Sequence, residues 1–77
     1  MQKKSIKFLC WLAENFGYRV AHISYRDLGK EYQMSYETIR LYVSALEKQN
    51  YLTIEKVSPR KQTLYLNVER VKQLLDE

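Results

Sequence analysis

The sequence predicts an α+β domain, built as a three-helix core, a two-stranded hairpin and a helix at the C-terminal end. Three observations carry that expectation. Apolar residues recur at three- and four-residue steps through Ile39, Tyr42, Val43 and Leu46, which is helical periodicity. Two alternating apolar runs flank Ser58-Pro59-Arg60-Lys61, with proline at the second position of a turn. The 77 residues hold no repeat, low-complexity run or interdomain linker, so 1–77 reads as one domain. A chain this short buries only about 60 to 65% of its unfolded surface, and a partner subunit would add stability.

In chain order, Met1 to Lys4 is a polar, basic start expected to fray. Ser5 to Phe16 reads as the first helix, with Ile6, Leu9, Cys10, Ala13 and Phe16 on one face and Gly17 placed to end it. Phe8, Trp11 and Leu12 spread the apolar surface well beyond one stripe, so either the C-terminal helix or a second subunit must cover it. Cys10 reads as a small buried hydrophobe rather than a reactive thiol. Tyr18 to Ile23 is a short β-favouring stretch. Its His22 is a surface or strand-edge imidazole, because no second histidine or nearby cysteine completes a metal site.

Residues 24–50 parse as two helices joined by the turn Tyr32-Gln33-Met34-Ser35. Leu28, Tyr32 and Met34 are expected on the inner side, and Gly29 marks a close approach, since glycine costs a helix about 1 kcal/mol unless packing uses its small size. Ser35 is placed to cap the second helix, 35–49, by accepting from the backbone N–H of residue 37 or 38. With Ile39, Val43 and Leu46 turned inward, the outward face presents Ser35, Tyr36, Glu37, Arg40 and Ser44. Leu52 to Val57 and Gln62 to Asn67 then form the hairpin, Leu52 and Ile54 facing Leu64 and Leu66, with Arg60 and Lys61 at its tip. Val68 to Glu77 closes the chain as a helix with Val68, Val71, Leu74 and Leu75 on one side; isolated, a helix of about ten residues is marginal, so it must dock.

The stretch LGKEYQMSYETIRLYVSALEKQNYL resembles the helix-turn-helix of winged-helix bacterial regulators, the GntR type above all, and the similarity covers Asp27 to Leu52. It rests on Leu28 and Gly29, the aromatic Tyr32, the aliphatic Met34, the cap Ser35, the run Thr38-Ile39-Arg40 and the closing Leu46-Glu47. Two positions depart from the pattern. Gln33 stands where glycine is usual, so either a left-handed backbone there carries strain or the turn differs, and Tyr36 stands where a basic residue is more usual. The resemblance implies a winged helix-turn-helix, with residues 52–67 as the wing and Tyr18 to Ile23 as an edge strand beside it. It also implies that the second helix enters the major groove of double-stranded DNA and that Arg60 and Lys61 reach the minor groove or flanking phosphates.

On that reading Arg40 is the best base reader, because a guanidinium can donate two parallel hydrogen bonds to guanine. Tyr36 and Glu37 reach phosphate, thymine methyl or cytosine, while Lys30, Arg26 and Thr38 lie toward the backbone. Phe8, Trp11 and Leu12 with Val71, Leu74 and Leu75 are the candidate two-fold contact of a homodimer; the alternative is that these helices cover each other within one chain. A net charge of +4 favours an anionic partner only mildly. One cysteine fits a reducing compartment, the cytoplasm, and Phe8 to Ala13 is too short to span a bilayer. The single histidine and single cysteine lie in different elements and the two glycines form no phosphate loop, so no enzyme, cofactor, metal or small-molecule ligand is expected. Sequence-specific DNA binding by a homodimeric transcriptional regulator is the leading expectation. Beside it stand a protein-interaction module and a non-catalytic DNA-binding part of a viral or plasmid replication or segregation machine.

Overall fold

The computed structural model describes residues 3–76; Met1 and Gln2, expected to fray, and Glu77, the expected end of the last helix, lie outside the described residues. The elements run α1 (Lys3–Phe16), β1 (Arg19–Ile23), α2 (Tyr25–Tyr32), α3 (Tyr36–Lys48), β2 (Leu52–Lys56), β3 (Gln62–Leu66) and α4 (Val68–Leu75). Lys3 and Lys4 are already helical, so α1 starts two residues before the expected Ser5.

The face that α1 buries differs from the expected one. Ser5, Phe8, Leu9 and Leu12, spaced i, i+3, i+4 and i+7, are buried where α1 packs on α3 and α4, whereas Phe16 is exposed and Cys10 and Ile6 are half-buried. What makes the helix look apolar all round is an aromatic cluster closed from within the chain. The Tyr32 ring of α2 lies 5.0 Å from Phe8 and 4.9 Å from Trp11, and Phe16 lies 5.6 Å from Trp11. Burial, with Glu14 second, raises the pKa of the Cys10 thiol, which keeps it protonated.

Helix α2 starts at Ser24, whose hydroxyl accepts from the Asp27 N–H, and ends at Gln33. Gln33 takes the left-handed conformation (φ 58, ψ 45), and the Met34 N–H closes back onto the Gly29 carbonyl at 2.9 Å. The turn therefore has the shape that glycine usually provides, formed here by a glutamine. Because a left-handed L-residue costs about 1–2 kcal/mol and Gln33 is exposed, Gln33→Gly is expected to stabilise the domain by about 0.5–1 kcal/mol after glycine's added unfolded-state entropy. A thermal melt should show the midpoint rising by a few degrees.

Leu28 is fully buried as expected, but Met34 is 45% exposed. Once Gln33 turns the chain left-handed, it is the Met34 main chain that faces α2. A Cβ on Gly29 would lie 2.6 Å from the Met34 carbonyl oxygen, while the Met34 side chain stays in solvent.

The sheet is antiparallel, in the order β1-β3-β2. Leu52 and Ile54 face Leu64 and Leu66 as expected; the register pairs Leu52 with Leu66 and Ile54 with Leu64, and Val20 pairs with Leu64 on the other side. Val20, Leu52, Leu64 and Leu66 join Ile39, Tyr42, Val43 and Leu46 of α3 in one core. Strand β1 loses register between Val20 and Ile23, where His22 adopts φ 52. Its N–H is caught by the Thr63 hydroxyl at 3.2 Å, and Gln62 donates to the Ile23 carbonyl at 2.9 Å. Asn67 joins the ends: its N–H donates to the Tyr51 carbonyl, its side-chain amide donates to the Asn50 carbonyl, and its side-chain oxygen caps α4. Arg70 of α4 lies 4.3 Å over the Tyr51 ring.

Candidate nucleic-acid interface

Ser35 caps α3 as expected, accepting from the Thr38 N–H at 3.2 Å; its hydroxyl also bonds the Thr38 hydroxyl at 2.9 Å. That pairing holds the first turn of α3 and leaves Thr38 half-buried. Tyr36 follows the cap and is 47% exposed. Glu37 stands in the first turn, where the positive end of the helix dipole favours a carboxylate. It accepts from Arg40 at 3.0 Å, and this hydrogen bond raises the Arg40 pKa further. Ser44 sits one turn beyond Arg40, half-buried.

The sequence did not foretell how these residues meet those of the other elements. An open cleft of about 790 Å³ runs between the start of α2, the side of α3 and the hairpin. Arg26, Tyr36, Arg60 and Lys61, four of the expected site residues, all line it, together with Tyr25 and Lys56. Four cations, Arg26, Lys56, Arg60 and Lys61, thus surround one acid, Glu47. The Tyr25 and Tyr36 rings lie 6.3 Å apart at its edge. Burial, then Glu47, raises the Tyr25 pKa, so its hydroxyl stays a donor.

Lys56 was missed because alternation puts it on the inner face of β2 with Leu52 and Ile54. The signal was there in its position: past the edge of the core, that inner face opens onto the cleft. The turn carrying Arg60 and Lys61 is held from both sides, the Ser58 N–H donating to the Lys61 carbonyl at 3.0 Å and the Lys61 N–H to the Ser58 hydroxyl at 3.2 Å. Lys30 is exposed on α2 and does not line the cleft.

The six residues expected at a dimer contact separate. Phe8, Leu12 and Val71 are 0% exposed and belong to the core of the chain itself, because α1 and α4 pack on each other. Trp11 and Leu74 are half-buried against that core, and Leu75 is exposed. Only the last three have surface to offer a second subunit. Among the described residues no three His, Cys, Asp or Glu gather as a metal site, and no helix is long and apolar enough to cross a membrane.

Three helices with a left-handed turn before α3, a hairpin behind it and a first strand completing the sheet define a winged helix-turn-helix domain. Among solved structures the chain is similar to MepR, a transcription regulator of the Staphylococcus aureus multidrug efflux pump MepA. The TM-score is 0.73 over 99% of this chain at 14% identity, a likeness of fold, and the chain spans about half (54%) of the length of that protein. No family model matches the chain, and no curated protein matches it.

Proposed function

We propose that this chain binds double-stranded DNA sequence-specifically, without catalysis, as the DNA-binding domain of a homodimeric cytoplasmic transcriptional regulator. The observation that carries this reading is the cleft: two arginines and two lysines, one from α2 and three from the hairpin, converge beside α3. A helix in the major groove needs one strand of phosphates to pass between it and the wing, and that passage is where the cations gather. Arg40, Glu37 and Ser44 then face the base edges, with Tyr36 and Arg26 on the phosphates. Lys30 approaches the backbone from the far side of α2. The run Thr38-Ile39-Arg40 after the Ser35 cap is what supports a GntR-like mode of reading. Trp11, Leu74 and Leu75 supply the two-fold contact, which sets two α3 helices about 34 Å apart on a near-palindrome.

The purified protein incubated with a random duplex library, with selection and sequencing at two salt concentrations, tests this. Enrichment of an inverted repeat with half-sites about one helical turn apart is the expected result. Salt-sensitive retention with no enriched sequence would transfer the chain to a replication or segregation machine, and no retention at either salt would leave the protein-interaction module. Changing Arg60 and Lys61 together to alanine is expected to weaken specific and non-specific duplexes alike. If each residue neutralises one phosphate, the slope of log K against log salt should fall by about 1.8, measurable by fluorescence anisotropy across a salt series.

A further inference from the structure

Leu41 is 58% exposed, the most exposed large apolar side chain among the described residues, and it stands in the middle of α3. At about 100° per residue, a circuit of the helix from the cleft meets Tyr36 and Glu47 first, then Arg40, then Ser44 and Glu37, then Leu41 and Lys48. Ile39, Tyr42, Val43 and Leu46 fill the opposite side, in the core. Glu37, Leu41, Ser44 and Lys48 thus form one outward stripe at i, i+4, i+7 and i+11, and the leucine is its apolar member. No packing need of the fold puts it there, since the core face is already complete without it.

On the DNA-binding reading above, we infer that Leu41 is a specificity-determining residue that packs against the 5-methyl group of a thymine in the major groove. Base edges in that groove offer hydrogen-bonding groups at most positions, and the 5-methyl of a pyrimidine is the apolar group they offer. A leucine there gains by covering that methyl and loses its own hydration wherever it faces a cytosine amino group instead. Arg40, one residue earlier and nearer the cleft, reads a neighbouring base pair. The α3 face therefore pairs a polar reader with an apolar one.

The selected duplex, with each thymine of one half-site replaced in turn by uracil, tests the assignment by titration with the wild type and with Leu41→Ala. Uracil keeps every hydrogen-bonding group of thymine and lacks only the methyl. At one position the replacement is expected to weaken wild-type binding about fourfold, the worth of one buried methyl, and to leave Leu41→Ala unchanged. An unaltered thermal midpoint for Leu41→Ala checks that the exposed substitution leaves the fold intact. Binding that is tight but indifferent to uracil at every position, or equally sensitive in both proteins, overturns the role of Leu41 alone. A selected half-site without thymine does the same. Methylating each cytosine of the half-site at C5 probes the other source of that group: a gain for the wild type alone would overturn the thymine assignment. Failure to bind any duplex overturns the DNA-binding reading instead.

Discussion

Arg40→Ala is expected to lower affinity for the selected sequence by about 5- to 150-fold, corresponding to one lost bidentate base contact of about 1–3 kcal/mol, while non-specific duplex binding changes little. In the free protein the guanidinium is tied to Glu37 at 3.0 Å, both side chains being largely in solvent. An exposed pair of this kind is screened by water and weak, so it holds the guanidinium without withholding it from another acceptor. Titrating the variant against matched specific and random duplexes separates the outcomes: equal loss on both would make Arg40 a phosphate contact, and no loss on either would remove it from the interface. Its charge is not in play, because the hydrogen bond with Glu37 raises a pKa that already lies far above neutrality.

Gly29→Ala should destabilise the domain, although helix propensity alone favours alanine by about 1 kcal/mol. The added Cβ would sit 2.6 Å from the Met34 carbonyl oxygen, which is main chain, and 3.6 Å from Ile39. A rotating side chain cannot relieve that contact. Either the end of α2 or the turn must move, and the turn is fastened at this point by the bond from Met34 N–H to Gly29 carbonyl. Overpacking of this kind costs about 1–3 kcal/mol, so after the propensity gain the net loss reaches about 2 kcal/mol. In a domain of this size that lowers the thermal midpoint by up to roughly 15 °C. A midpoint at or above wild type would mean that the turn relaxes freely, and the angle between α2 and α3 would then not depend on the missing side chain.

Legibility in the sequence followed the range of the forces involved. Short-range chemistry was readable: the Ser35 cap, the proline turn, the facing of Leu52 and Ile54 onto Leu64 and Leu66, and the close approach at Gly29 all follow from residue type and spacing. The caps Ser24 and Asn67 were equally readable and were overlooked: Ser24 stands three residues before Asp27, the spacing of a capping box. The face of α1 was not readable, because Phe8, Trp11 and Phe16 are alike in hydropathy and only the placement of Tyr32 from α2 decides which of them solvent reaches. Met34 misled for a related reason. Its backbone rather than its side chain satisfies the turn, and apolar periodicity cannot distinguish the two. As for the candidate interface, the outward residues of α3 and the hairpin tip were individually visible, but the cleft joining them to Arg26 and Lys56 depends on three elements meeting in space.

The strand order β1-β3-β2 has a consequence in time. Residues 62–66 pair with both 19–23 and 52–56, so the central strand is the last of the three to leave the ribosome. Until it does, the first two have no partner in the sheet, and α3 lacks the leucines that back its buried face. Pairing β1 with β3 closes the loop from residue 23 to residue 62, so the sheet, and with it the cover that Leu64 and Leu66 give the core, is completed only at the end of synthesis, whereas the packing of α1 and α2 on α3 uses no residue of β3.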